Sequence, residues 1–202
     1  MAEKHQHDRE YGAGAQSREL RRKKRNKCLL YIFLFIVFQT AVILLFALTI
    51  MKIRAPKFRL SAAAFDTFEY SSAAANPSFN IRMTAQLSVK NTNFGQFKFE
   101  DTNIAFYYNG AVVGSAFIPG SRAKARSTNK FITVVELSSA GLQNRAQLGS
   151  DLSSGVLAVN SGGRLSGKVE LLKVLKRKKS AQMNCIIAIN LAQRIIGDLR
   201  CN

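Results

Sequence analysis

Residues 28–50 carry no charge: the run opens Cys28-Leu29-Leu30-Tyr31 and closes Ala47-Leu48-Thr49-Ile50. This run constrains the chain more than any other feature, because it decides which solvent the flanking segments meet. A helix rises about 1.5 Å per residue, so the run would reach roughly 34 Å. A bilayer's hydrocarbon core is about 30 Å thick, so the run is long enough to span with slight tilt. Gln39, Thr40 and Thr49 are its polar members, and threonines in a helix can bond back to their own backbone. A core helix of this length would be expected to show a polar face, and this one shows none. A cleaved signal peptide would have a shorter apolar region and a small-residue site just beyond it. Here the nearest small triplet, Ala62-Ala63-Ala64, lies past four basic residues. An uncleaved signal anchor is the expectation.

The flanks orient the anchor. Arg18, Arg21, Arg22, Lys23, Lys24, Arg25 and Lys27 precede it, and Lys52, Arg54, Lys57 and Arg59 follow. Basic flanks stay cytoplasmic, so seven against four predicts the N-terminus inside and the C-terminal segment outside. Cys28, at the inner edge beside Lys27, is a candidate for reversible palmitoylation; the alternative is simply the first apolar residue of the helix.

The division that follows is a disordered basic cytoplasmic tail (1–27), a transmembrane signal anchor (28–51), a juxtamembrane linker with a candidate first strand (52–78), and a β-domain (79–202). The 202 residues carry a formal charge of +18. A domain that basic is drawn to anionic surfaces: phospholipid headgroups, acidic polysaccharide or an acidic protein. An outward-facing domain rarely meets nucleic acid, which disfavours that partner. Both histidines, His5 and His7, lie in the tail. Without an outer histidine, histidine-based triads and histidine-rich zinc sites drop out, and no cofactor is expected. Cys185 and Cys201 lie outside, where an oxidising compartment favours a bridge between them. Two reduced, apolar-like cysteines are the alternative.

Phe79, Ile81, Met83, Ala85, Leu87 and Val89 alternate with polar residues, the period of a strand with one buried face. Asn91-Thr92-Asn93 breaks it. Phe97 and Phe99 open another strand, Glu100-Asp101 interrupts, and Ile104, Phe106 and Tyr108 resume on the opposite parity, as across a bulge or turn. Asn109-Gly110 between apolar runs is a hairpin signal, and Pro119-Gly120 turns the chain. Residues 121–130 read as a basic loop and 131–137 as a strand. A helix is expected over 142–152, capped by Ser138 or Ser139. Strands follow at 156–159, 165–171 and 183–191. About seven short strands and one short helix predict a mainly β fold: an antiparallel β-sandwich of the immunoglobulin or fibronectin kind.

Three local patterns bear on chemistry. Gly162-Gly163-Arg164-Leu165-Ser166-Gly167-Lys168 opens like a P-loop, but Val169 stands where a magnesium-binding Ser or Thr belongs. A glycine turn feeding a strand is the better reading. Lys173, Lys176, Arg177, Lys178 and Lys179 form a basic run between strands, either a solvated hairpin loop or an anionic-surface contact. It contains no aromatic residue for base stacking. Among the outer carboxylates only Glu100 and Asp101 adjoin. Neighbours on a strand face opposite ways, so they make a poor acid–base pair and suit a turn.

Laid out in this order, the chain resembles the plant late embryogenesis abundant group-two family, which carries the water-stress and hypersensitive-response domain and includes harpin-induced-like membrane proteins. The elements that carry the likeness are the alternating strand to Val89, Asn91-Thr92-Asn93, the aromatic strand to Phe106, Tyr107-Tyr108-Asn109-Gly110, Gly114-Ser115-Ala116 to Pro119, the polar stretch to Lys130, and the strand to Leu137. Thr92 stands where that pattern has proline. The basic tail, single span and late cysteine are similar to the membrane-anchored members. The resemblance implies a β-sandwich, no catalytic residues, and a role in defence or dehydration responses at the plasma membrane. Acting through an unnamed protein partner is one expectation, and binding anionic lipid or polysaccharide through basic loops is the other.

Overall fold

The computed structural model describes the backbone of residues 2–50, 52–171 and 175–201. Two compact units divide the chain, Met1–Met51 and Lys52–Asn202. The first is a helix, α1 (Ala2–Ile50), whose segment Lys24–Thr49 is long and apolar enough to cross a membrane. Within it the Thr40 hydroxyl donates to the Val37 carbonyl at 2.8 Å and the Thr49 hydroxyl to that of Leu45 at 2.7 Å. Both threonines thus satisfy their polar groups within the helix, as a helix in lipid would need to. The helix also takes in residues 2–27, expected to be irregular. That segment has no proline and is rich in Glu, Lys, Arg, Gln and Ala, good helix formers that a helix already nucleated by the apolar run can incorporate.

Among the described residues the second unit comprises ten strands: β1 (Lys57–Ser71), β2 (Ser78–Lys90), β3 (Gln96–Phe99), β4 (Thr102–Tyr108), β5 (Ala111–Ile118), β6 (Ser121–Ala123), β7 (Thr128–Ser138), β8 (Val156–Leu171), β9 (Leu175–Asn190) and β10 (Ile195–Cys201), with one helix, α2 (Ala146–Ser153), before β8. All pairings are antiparallel. The strands run β10–β9–β8–β4–β5–β7–β2–β1 through the sheet, and β3 and β6 extend it beside the second half of β8. β1 comes back against β9 and β10, where the Cys201 sulfur lies 3.7 Å from the Leu60 carbonyl oxygen. Instead of two packed sheets of about seven strands, one sheet curls until it nearly closes.

The reason lies in strand length. The segments expected as two strands, 156–159 and 165–171, are one 16-residue strand, β8. Its first half pairs with β4 and its second with β3. Gly162 and Gly163 sit inside it rather than in a turn. A Cβ on Gly163 would lie 2.4 Å from Ile104 Cγ2, so glycine here lets two strands pack tightly. The P-loop-like stretch is therefore sheet.

Elsewhere the local patterns hold. Phe79, Ile81, Met83, Ala85, Leu87 and Val89 of β2 are all buried, between β1 and β7. Asn109 (φ 47°) and Gly110 (φ 82°) form the two-residue turn of the β4–β5 hairpin, the left-handed pair that such turns require. Glu100-Asp101 separates β3 from β4, and the Asp101 carboxylate accepts the Gly120 N–H, tying that break to the turn after β5.

α2 starts later than the apolar pattern suggests. Neither Ser138 nor Ser139 caps it: Arg145 is the N-cap residue and makes no side-chain cap bond. The Asn144 side chain accepts from the Ala146 N–H instead. Ser139 is buried and bridges the backbone of Phe79, which spends its hydroxyl on a strand far away in sequence. Leu148 and Leu152 anchor α2 to the core, and the Tyr108 hydroxyl donates to Asp151 at 2.7 Å. Burial, then that bond and the Asp151 charge, hold the phenol well above its ordinary range.

Candidate anionic-surface site

The basic run is strand, not loop. Lys176, Arg177, Lys178 and Lys179 lie in β9 opposite Glu170, Val169, Lys168 and Gly167 of β8; Lys173 lies outside the described residues. A strand sends successive side chains to opposite faces, so the run is split. Lys176 and Lys178 lie on the outer face. Arg177 and Lys179 share the parity that becomes the core face from Ala181 onward. Among the described residues, the strand therefore divides Lys176 and Lys178 from Arg177 and Lys179 by parity.

Register assembles a different one. Lys98 of β3 pairs with Arg122 of β6 on one side and with Lys168 of β8 on the other. Lys168 pairs with Lys178 of β9. Arg122, Lys98, Lys168 and Lys178 are all exposed, and directly paired residues share a face. They form one row across four strands, spaced about 4.8 Å apart and so spanning about 14 Å. Directly opposed like charges destabilise a sheet, and this row has three such pairs in succession.

A carboxylate flanks it on one side. Glu170, one outer-face position away, contacts Lys98 Nζ at 3.2 Å and Lys176 Nζ at 3.8 Å. It also accepts from Gln96 Nε2 at 2.8 Å. The Gln96 hydrogen bond, then that from Lys98, holds its carboxyl below the usual range. On the other side of the row Ser166 faces Ser180, and Arg164 faces Gln182. The Arg164 guanidinium donates to the Ser180 hydroxyl at 3.2 Å. Glu100, Arg164, Ser166, Lys168, Lys178 and Ser180 line a concavity of about 340 Å³. Sequence reasoning found Lys178 but missed Lys98, Arg122, Arg164 and Lys168. The outward parity of Arg164, Ser166 and Lys168 is readable from the alternation; their partners are not.

The two cysteines of the second unit are joined. Cys185 of β9 and Cys201 of β10 face each other in register, with Cα atoms 4.1 Å apart. The chain turns after Leu191 and returns along β9. Cys28 is free and exposed. Among the described residues no group of three or more His, Cys, Asp or Glu side chains could hold a metal.

A second polar cluster holds the entrance of the β-domain. Asn91 and Asn93 are buried. The Asn91 amide donates to the carbonyls of Gly95, Ala123 and Lys124, and its Oδ1 accepts from Asn93 N–H. Read from sequence these residues only break a strand; here they also tie three chain segments together.

Fold and site define a class: an antiparallel β-module, stapled by a disulfide and preceded by one apolar helix, that presents fixed charge on its sheet. Residues 86–186 match the model of LEA_2, the family described as late embryogenesis abundant protein. The late embryogenesis abundant protein At1g64065 of Arabidopsis thaliana is 32% identical over 177 residues, which cover 87% of this chain and 82% of that one. The chain belongs to the late embryogenesis abundant family. Among solved structures it is similar to AT1g01470 from Arabidopsis thaliana (16% identity, TM-score 0.41, 68% of this chain and 83% of that one). It is also similar to a protein from Archaeoglobus fulgidus (12% identity, TM-score 0.32, 61% and 94%).

Proposed function

We propose that this chain is a single-pass, membrane-anchored, non-catalytic β-module that acts in plant defence or dehydration-stress responses, facing outward at the boundary of plasma membrane and cell wall and working by binding a protein partner. The Cys185–Cys201 bridge in the unit that follows the apolar helix carries this reading. Structural disulfides persist in oxidising compartments, which agrees with the outward orientation argued from seven basic residues before the span and four after it. Family membership supports the stress role. Protease added to intact cells should digest a C-terminal tag and spare an N-terminal one. The reverse pattern, or both outer thiols alkylated without prior reduction, overturns the reading.

A second reading, contact with anionic lipid or acidic polysaccharide, is favoured by the row of Arg122, Lys98, Lys168 and Lys178. Such contact would weaken steeply with ionic strength, whereas an apolar protein contact would not.

A further inference from the structure

We infer that the outer face of β6–β3–β8–β9 is a binding site for a linear carboxylated polysaccharide, laid along the row Arg122–Lys98–Lys168–Lys178; this rests on the anionic-contact reading and names its ligand. The row crosses the strands in register, one cation per strand, and a polyuronate presents one carboxylate per sugar along its length. Three like-charge pairs in register weaken the sheet on their own. Among the described residues Glu170 offsets Lys98 and Lys176, so an arriving polyanion relieves the repulsion within the rest of the row. Local rules are broken in this way at functional sites.

The adjoining residues choose the kind of polyanion. Two positions along β8 and β9 from Lys168 and Lys178, about 6.6 Å further on, come the opposed hydroxyls of Ser166 and Ser180, with Arg164 bonded to the second. Glu100 is held beside them by its N–H, which donates to the Ser166 carbonyl at 3.0 Å. A carboxylate on the rim repels a bare anion but accepts from a sugar hydroxyl. Charge beside hydroxyls and an acceptor fits a ligand that is both ionised and polyhydroxylated. Among the described residues no apolar side chain lines this concavity, whereas binding in a bilayer interface draws on buried apolar area as well as charge. Nor, among the described residues, does an aromatic side chain line it, so these residues offer nucleic-acid bases no stacking platform.

The test uses the full chain in phosphatidylcholine nanodiscs, titrated with oligogalacturonate, with polyglutamate, and with phosphatidylserine vesicles. Oligogalacturonate should bind at low ionic strength and be released at about 1 M salt, where the screening length is about 3 Å. Lys168→Gln with Lys178→Gln should weaken it about tenfold, equivalent to about 1.4 kcal/mol, while the Lys→Arg pair retains binding. Lys57→Gln with Arg194→Gln removes the same charge elsewhere and should leave affinity unchanged. Ser166→Ala with Ser180→Ala should weaken oligogalacturonate but not polyglutamate. Equal loss in the control pair, or none in the row variant, overturns the site. Vesicle binding through the row with silent serine variants overturns the sugar while leaving anionic contact standing. If none of the three probes binds, both fall.

Discussion

The side-chain amide of Asn93 brackets the backbone of Arg54: its Oδ1 accepts the Arg54 N–H at 2.6 Å and its Nδ2 donates to the Arg54 carbonyl at 2.8 Å. Arg54 lies just before β1, so this pair fixes where the β-domain begins. Asn93 is buried, and leaving such partners unsatisfied costs about 1–3 kcal/mol. Asn93→Ala should therefore lower stability by about that amount and raise amide hydrogen exchange over residues 53–60. Unchanged protection there would show that the bracket holds nothing in place.

Leu87 and Ser88 are neighbours on β2 that face opposite ways. Leu87→Asp puts an unpaired charge in the core and should unfold the domain. Ser88 pairs with Arg59 on one side and Lys130 on the other. Ser88→Asp should be neutral or slightly stabilising, its carboxylate flanked by two cations, though it gives up the Ser61–Ser88 hydroxyl bond of 2.7 Å. Chemical denaturation of both variants checks this, and equal tolerance contradicts the assignment of faces.

The Cys185–Cys201 bridge closes a segment with a sequence separation of 16. The loop-entropy model values a closure of that size at about 3 kcal/mol. Reduction, or Cys185→Ser with Cys201→Ser, should lower the melting temperature accordingly. It should loosen β10 first, because β9 is that strand's hydrogen-bonded partner. Hydrogen exchange confined to 195–201 would mark the order.

Glu170 makes an acid-sensitive prediction. Its folded carboxyl is held below the usual range by Gln96 and Lys98, so its contribution is present above the ordinary carboxylate pKa of about 4.3 and is lost as pH falls through the lowered folded value. Glu170→Gln should be less stable than the parent at pH 7, and the two should converge at low pH. Urea midpoints at both pH values measure it; a gap that persists or widens in acid assigns the effect to packing.

What the sequence determined by itself is local. The uncharged run of α1, the period-two alternation of β2 and the Asn109-Gly110 turn are each written in adjacent residues, because periodicity and backbone preference act over a few positions. The cysteine pairing was also within reach, since no third cysteine follows the apolar run. What the tertiary structure decided depends on register. The merging of two expected strands into β8, the near-closure of β1 against β9 and β10, the bracket of Asn93 on Arg54, and the alignment of Lys98 with Arg122 and Lys168 all join residues far apart in the chain. A one-residue slip would carry a strand's cations to the other face. No local pattern states which residue stands opposite which; that is settled when the buried faces of all ten strands are packed together.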